Sequence, residues 1–249
     1  MMEPMYVICF YWEGDRWISD VSEAKTNDSK FIGVLNKMGG VSLSLASRYI
    51  NNLYHGVKRF ATRPFNFICF TNESLEVHSD IELRPFPMIT NKGVLPRLYM
   101  FSPEAGLGNK QVLCLDIDVV IVGSLEKIMA YNGLFCTRPK FNPRENHKID
   151  GDIMSFRAGN EAATLFYDPF IANVASAIKL TRGRERYWLR HVASTFADRW
   201  DKVAPDAVQS YKWHVRRKKV LPPRASIISF HGIPRPHQVN DRWLKDYWV

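Results

Sequence analysis

Residues 112–118 read Val-Leu-Cys-Leu-Asp-Ile-Asp, an apolar run that ends in two aspartates one residue apart. An uninterrupted run of this kind, rich in branched residues, reads as a strand buried on both faces. In open α/β sheets, ligands bind just beyond the carboxyl ends of such strands. The run therefore delivers Asp116 and Asp118 to the edge where a ligand sits. Residues i and i+2 of a strand share a face, so both carboxylates are expected to point at one cation. Hard oxygen donors favour Mg²⁺, Mn²⁺ or Ca²⁺ over zinc. Taken alone, the pair reads equally as two solvated acids at a strand end.

On either side of this strand the chain alternates strand-like and helical segments. Tyr6–Tyr11 and Phe65–Phe70 are apolar and rich in β-formers, and Glu82–Phe86 is a shorter strand. Between them, Leu45, Ile50, Leu53, Tyr54 and Val57 recur at helical spacing over Ser44–Arg59, and Arg63-Pro64 ends that helix. Ser19–Gly40 is polar and irregular and reads as a loop over a ligand. Leu98–Phe101 reads as a short helical segment. After the central strand, Val119–Val122 stays extended, Gly123 breaks it, and Ser124 caps a short helix to Met129. Leu134–Cys136 and Asp152–Phe156 are further strands. Asn160–Leu180 is helical with an interruption at Pro169, Val192–Trp200 is a helix, and Ala225–Phe230 is a late strand. Alternation of strands and helices in the first half predicts an α/β fold, and no linker divides the 249 residues, so one domain over 1–249 is expected.

Composition bounds the function. Lys and Arg number 34 against 25 Asp and Glu, a formal charge of +9. Much of the excess lies in Arg182, Arg184, Arg186 and in Arg216, Arg217, Lys218, Lys219, which read as a solvated face or a patch for an anionic surface. No zinc-finger, helix-turn-helix or RNP signature is present, so nucleic acid is not an expected partner. No apolar stretch nears the roughly 20 residues needed to span a bilayer. The opening residues lack a secretory leader's pattern, which places the chain in the cytoplasm as an expectation. The four cysteines show no CxxC spacing and read as buried thiols.

Several stretches together carry a resemblance. They are Tyr49-Ile50-Asn51-Asn52-Leu53-Tyr54-His55-Gly56-Val57, Phe67-Ile68-Cys69-Phe70-Thr71-Asn72, Pro96-Arg97-Leu98-Tyr99 and Leu113–Gly123. Ile153-Met154-Ser155-Phe156-Arg157-Ala158-Gly159, Ser210-Tyr211-Lys212 and Phe230-His231-Gly232-Ile233-Pro234-Arg235-Pro236 complete them. In this order they resemble nucleotide-sugar glycosyltransferases of the GT-A fold, above all the retaining family eight, which includes glycogenin and the bacterial lipopolysaccharide galactosyltransferases. The resemblance implies a single Rossmann-like domain with a mixed, mostly parallel central sheet flanked by helices. It implies a hexosyltransferase that uses a UDP-sugar donor with Mn²⁺ or Mg²⁺ and retains anomeric configuration. The acceptor is then a glycan or lipid-linked saccharide, which suits a basic protein peripheral to the inner membrane face.

Residue by residue, the resemblance puts Asp116 and Asp118, with Ile117 between them, on the metal and diphosphate. Phe10, Tyr11, Thr71 and Asn72 fall where uracil and ribose are held, and Arg97 where a basic residue helps hold the donor. Gly232 and Arg235 fall on the diphosphate loop, Arg235 replacing a lysine. The family's metal-binding histidine position holds Ser229, so His231, two residues on, is the expected third ligand. Asp150 stands where relatives carry an asparagine on the donor sugar, and Asp150 or Asp152 is the candidate catalytic carboxylate. Gly183-Arg184-Glu185-Arg186 departs from the family's Gly-Asp-Gln/Glu, which leaves a non-catalytic or degenerate sugar-nucleotide binder as an alternative. Asp116-Ile117-Asp118-Val119-Val120 also matches a haloacid-dehalogenase-like phosphatase pattern. That family carries the motif on its first strand, however, and Gly151-Asp152 is a poor substitute for its downstream acidic pair.

Overall fold

The structure, a computed structural model, describes residues 3–12, 42–90 and 93–249. The expected loop over Ser19–Gly40 lies outside the described residues. The strands are β1 (Met5–Phe10), β2 (Phe65–Phe70), β3 (Ile81–Arg84), β4 (Gln111–Leu115), β5 (Val119–Ile121), β6 (Phe135–Pro139), β7 (Ile149–Arg157), β8 (Asp198–Arg199), β9 (Val208–Ser210) and β10 (Ile227–Ser229). Seven of them form the central sheet in the order β3-β2-β1-β4-β7-β6-β8. All neighbours pair in parallel except β7, which runs against both β4 and β6, so the sheet is mixed and mostly parallel. A second sheet, β5-β10-β9, stands beside it.

Two-sided burial explains why the central strands are apolar throughout. Val7 and Cys9 of β1 and Leu113 and Leu115 of β4 face one core. Ile8, Phe10, Val112 and Cys114 face another on the opposite side of the sheet. The first core is covered by helix α1 (Leu43–Phe60), whose Ala46, Ile50, Leu53 and Val57 are fully buried. Ser42 caps α1 by accepting a hydrogen bond from Leu45 N at 3.2 Å. The second core is covered by the 3₁₀ segment Leu95–Phe101 and by helix α2 (Glu185–Ala193), through Leu98, Met100, Trp188 and Leu189. A third cluster, including Tyr49, Val120, Tyr211, Phe230, Trp243 and Trp248, packs on the small sheet. There Tyr211 and Phe230 stack with centroids 4.4 Å apart, a geometry worth about 0.5–1.5 kcal/mol beyond area burial.

Three expectations need correction. The central strand stops at Leu115, and Asp116–Asp118 form a tight turn closed by Val119 N donating to Asp116 O at 3.2 Å. The two carboxylates thus do not share a strand face. The helix expected over Val192–Trp200 ends at Ala193, and Asp198–Arg199 instead pairs with the edge of β6. Tertiary bonds decide this: Tyr131 Oη donates to Asp198 at 2.8 Å, and Trp200 Nε1 donates to Ile153 O at 3.0 Å. Finally, β6 runs past Cys136 to Pro139, carrying Arg138 into the interior. The 160–180 region is helical in pieces, as Pro169 required. A π turn at Ala163–Tyr167 precedes the proline-containing segment, and the helix breaks at Asn173.

Candidate active site

The polarity of the strands assembles the site. Because β7 is antiparallel to β4, its first residues lie against the carboxyl end of β4: Leu115 pairs with Ile153, and Asp116 N donates to Asp152 O at 2.8 Å. Asp150 and Asp152, two apart on β7, both turn toward Arg138 of β6. From the small sheet, β10 pairs with β5 so that Ser229 faces Val119. This brings the loop after β10, with His231 and Arg235, against the turn that holds Asp118. Asp116, Asp118, Asp150, Asp152, Arg97, His231 and Arg235 therefore meet at one edge of the sheet.

Each of the three most engaged acids has its own guanidinium. Arg97 Nη1 donates to Asp116 Oδ1 at 2.6 Å and lies 3.2 Å from Glu185 Oε2. Its Nη2 reaches Gly151 O at 3.3 Å. Arg235 Nη1 is paired with Asp118 Oδ2. Arg138 Nε is paired with Asp152 Oδ1 and its Nη2 lies 3.5 Å from Asp150 Oδ2. Ser229 Oγ donates to the other oxygen of Asp152. Asp152, Arg138 and Arg97 are buried, whereas Asp150 is partly open to solvent.

The titration behaviour follows from burial and from these partners. Burial pushes the Glu185 carboxyl up to about 8, more than Arg97 beside it can offset. Asp152 is lowered from its usual range: burial opposes ionisation, but the pairing with Arg138 and the hydrogen bond from Ser229 outweigh it. His231 falls to about 4, first through burial and then through the nearby Arg138 cation. At neutral pH His231 is therefore an uncharged imidazole. Its Nε2 lies 2.7 Å from Ser210 Oγ, and its ring stacks on Phe141 at 5.3 Å. Gly232 has φ +79, and a Cβ there would stand 3.0 Å from Lys212 Nζ, so glycine both permits the turn and leaves the lysine close to the loop.

The remaining expected residues are structurally committed. Phe10 stacks on Phe70 at 4.8 Å within the second core, with the Arg97 guanidinium 6.0 Å from its ring centre. Tyr11 is buried, and its N donates to Phe70 O at 3.0 Å. Thr71 is buried and its Oγ1 accepts from Glu73 N. The Asn72 amide both donates to Phe86 O and accepts from Phe86 N, which fixes the chain after β3.

These contacts decide what the site can offer a divalent ion. Asp116 and Asp118 offer hard oxygens, but an arginine holds one oxygen of each. Ser229 Oγ serves Asp152, and His231 Nε2 serves Ser210. Among the described residues, no group of three or more His, Cys, Asp or Glu side chains is arranged to hold a metal ion. As they are paired here, the described residues do not fit the expected metal site.

Sequence reasoning missed Arg138, which anchors both aspartates of β7. The available signal was a charge at the end of an otherwise apolar run, Leu134–Cys136, opposite two acids. It also missed the burial of Glu185. Gly151 packs against the same helix: a Cβ at 151 would press on Leu189 Cδ1 at 3.0 Å and stand 3.6 Å from the Glu185 carboxyl, an ordinary contact.

Neither a protein-family model nor a curated protein matches the sequence. Solved structures do. The bifunctional glycosyltransferase WbbM aligns with a TM-score of 0.58 at 10% identity over 98% of this chain and 48% of its own. GlyE, a glycosyltransferase of Streptococcus pneumoniae, aligns at 0.60 and 10% identity over 98% of this chain and 59% of its own. The chain thus spans about half the length of these two proteins. The galactosyltransferase LgtC, solved with donor and acceptor sugar analogs, aligns at 0.56 and 9% identity over 97% of this chain and 94% of its own. The architecture of this chain is that of the GT-A glycosyltransferases.

Proposed function

We propose that this protein is a glycosyltransferase that moves a hexose from a UDP-sugar to a hydroxyl of a glycan or lipid-linked saccharide. The observation that carries the reading is the meeting of the β4 turn, the start of β7 and the loop after β10 at one sheet edge. Three guanidiniums and four aspartates lie together there. The likeness to LgtC, whose complex contains donor and acceptor sugar analogs, supports a sugar donor and a sugar acceptor.

In this reading Arg97 fixes Asp116 to receive the ribose hydroxyls of the donor. Arg235 faces the diphosphate, where negative charge grows as the sugar departs. The bond from the anomeric carbon to phosphate oxygen breaks, the bond to the acceptor oxygen forms on the same face, and the acceptor proton passes to the leaving phosphate. That sequence retains configuration. A covalent alternative uses a carboxylate nucleophile, and Asp150 suits it better than Asp152. Asp152 has both oxygens engaged, while the Asp150 side chain is 18% exposed and its contact with Arg138 is longer.

No helix among the described residues is long and apolar enough to cross a membrane. Arg216–Lys219 are exposed beside Trp213, itself 53% exposed, a basic and aromatic surface suited to the anionic inner face of a membrane. We place the protein in the cytoplasm at that face. Incubation with a panel of UDP-hexoses tests the function: slow release of UDP and free hexose, lost in D116N, is the expected outcome. Tight UDP binding with no turnover of any UDP-hexose would leave only the sugar-nucleotide binder. Hydrolysis of simple phosphomonoesters would favour the phosphatase instead.

A further inference from the structure

We infer that this site counters the charge of a nucleoside diphosphate with arginine, chiefly Arg235, and not with a divalent ion. The inference rests on the donor reading above and concerns how the donor is held.

Four observations converge. First, the acids that a cation would need are already compensated: Asp116 by Arg97 at 2.6 Å, Asp118 by Arg235 and Asp152 by Arg138. A divalent ion on Asp118 must displace Arg235 or sit beside its positive charge, and like charges in a poorly solvated site repel strongly. Second, two nearby uncharged groups are already engaged by protein partners, Ser229 Oγ by Asp152 and His231 Nε2 by Ser210. Third, the loop that follows β10 gathers cations. Lys212 Nζ lies 3.0 Å from the Cβ position of Gly232, and Arg235 stands three residues further on. Fourth, Arg235 is anchored at both ends of its contact. Its backbone N donates to Gln238 Oε1 at 2.9 Å, and its guanidinium is fixed on a carboxylate that is itself 8% exposed.

The chemistry of the guanidinium suits this role. It presents five N–H donors in a rigid planar fork, so one arginine can bridge the Asp118 carboxylate and a phosphate oxygen. Its charge is permanent and needs no metal supply. Asp118 then becomes a positioning residue: it aims Arg235 and does not ligate an ion.

Titration calorimetry with UDP, GDP, CDP, ADP and TDP, each in excess EDTA and in excess MnCl₂, decides the matter. Paramagnetic resonance of Mn²⁺ counts any ion that binds. One of these nucleotides is expected to bind in EDTA, with Mn²⁺ changing its affinity by less than about threefold. R235A is expected to weaken that binding about 10- to 100-fold, the loss of one or two charge-assisted hydrogen bonds, with no dependence on Mn²⁺. R235K, which keeps the charge and loses the fork, should fall between them, and it serves if R235A does not fold. Binding that appears only with Mn²⁺, accompanied by a bound-Mn²⁺ signal, overturns the inference and leaves the transferase reading standing. Equal affinity of R235A, R235K and the parent in EDTA also overturns it. Failure of all five nucleotides in both buffers overturns the donor reading and the inference together.

Discussion

Arg138 pairs with both aspartates of β7, and R138M tests what that anchor contributes. The Arg138 and Asp152 side chains are 3% and 8% exposed and form a direct ion pair. Methionine keeps the apolar stem but leaves Asp152 as a buried charge with only Ser229 to serve it. Removing one partner of a buried pair costs about 3–5 kcal/mol. The Asp150 contact adds little, because it is longer and more solvated. Near this chain length 1 kcal/mol lowers the melting temperature by about 2–4 °C, so a drop of roughly 6–20 °C is expected. Urea unfolding followed by tryptophan fluorescence gives the free energy directly. R138M/D152N should recover at least half of the loss, since the stranded charge has gone and an amide oxygen can still accept from Ser229. The His231 ring should also titrate higher in R138M, because Arg138 is one cause of its depression. Should R138M unfold within about 1 kcal/mol of the parent, the buried pair is not an anchor and the account of Asp152 fails.

Other outcomes follow from the same geometry. Glu185 titrates near 8 in the fold against 4.5 for the free side chain, so its contribution to stability is present below about 4.5 and is lost as pH rises through 8. E185Q should therefore match the parent near pH 4 and exceed it by a margin that widens from about pH 4.5 to pH 8; a parallel pH profile for the two would refute this. His231 has the opposite sign, because its folded value of about 4 lies below 6.5. Its contribution is present above about 6.5 and is lost as pH falls through 4, amounting to about 3 kcal/mol at most. H231F should flatten that acid limb in denaturant titrations at pH 4–7. G123A should cost about 1–3 kcal/mol by overpacking, since its Cβ would stand 2.7 Å from Ala225 O and push β5 from β10; a neutral result by urea unfolding would mean that the turn yields.

The sheet was legible because its strands are buried on both faces, which writes a continuous apolar run into the sequence at Val7–Phe10, Phe67–Phe70 and Val112–Leu115. Helix α1 was legible because one face alone is apolar. Without the resemblance, which also named Arg97, His231 and Arg235, the candidate site was legible only where a carboxylate follows or enters a strand, as with Asp116, Asp118, Asp150 and Asp152. What it does there depends on partners distant in sequence. Nothing local tells that Asp118 meets Arg235, or that Arg138 crosses to β7. The false helix over Val192–Trp200 has the same origin: Asp198 and Trp200 take bonds from Tyr131 and to Ile153 O, and those outweigh local propensity.

The short strands of the small sheet bear on how cohesion is distributed through the molecule. β5, β9 and β10 have three residues each, against five or six in β1, β2 and β4. A ribbon with so few ladder bonds opens at lower cost than a central strand buried on both faces. The loop that bears Arg235 rides on that ribbon, whereas β4 and its aspartates belong to the central sheet. Hydrogen exchange is then expected to find two tiers of protection, with β1, β2 and β4 exchanging only through global unfolding and β9–β10 opening at lower cost. An anionic nucleotide that bridges both tiers binds only while the ribbon is docked. It should slow exchange in β10 more than in β4, which couples occupancy of the site to the cohesion of the chain's last third.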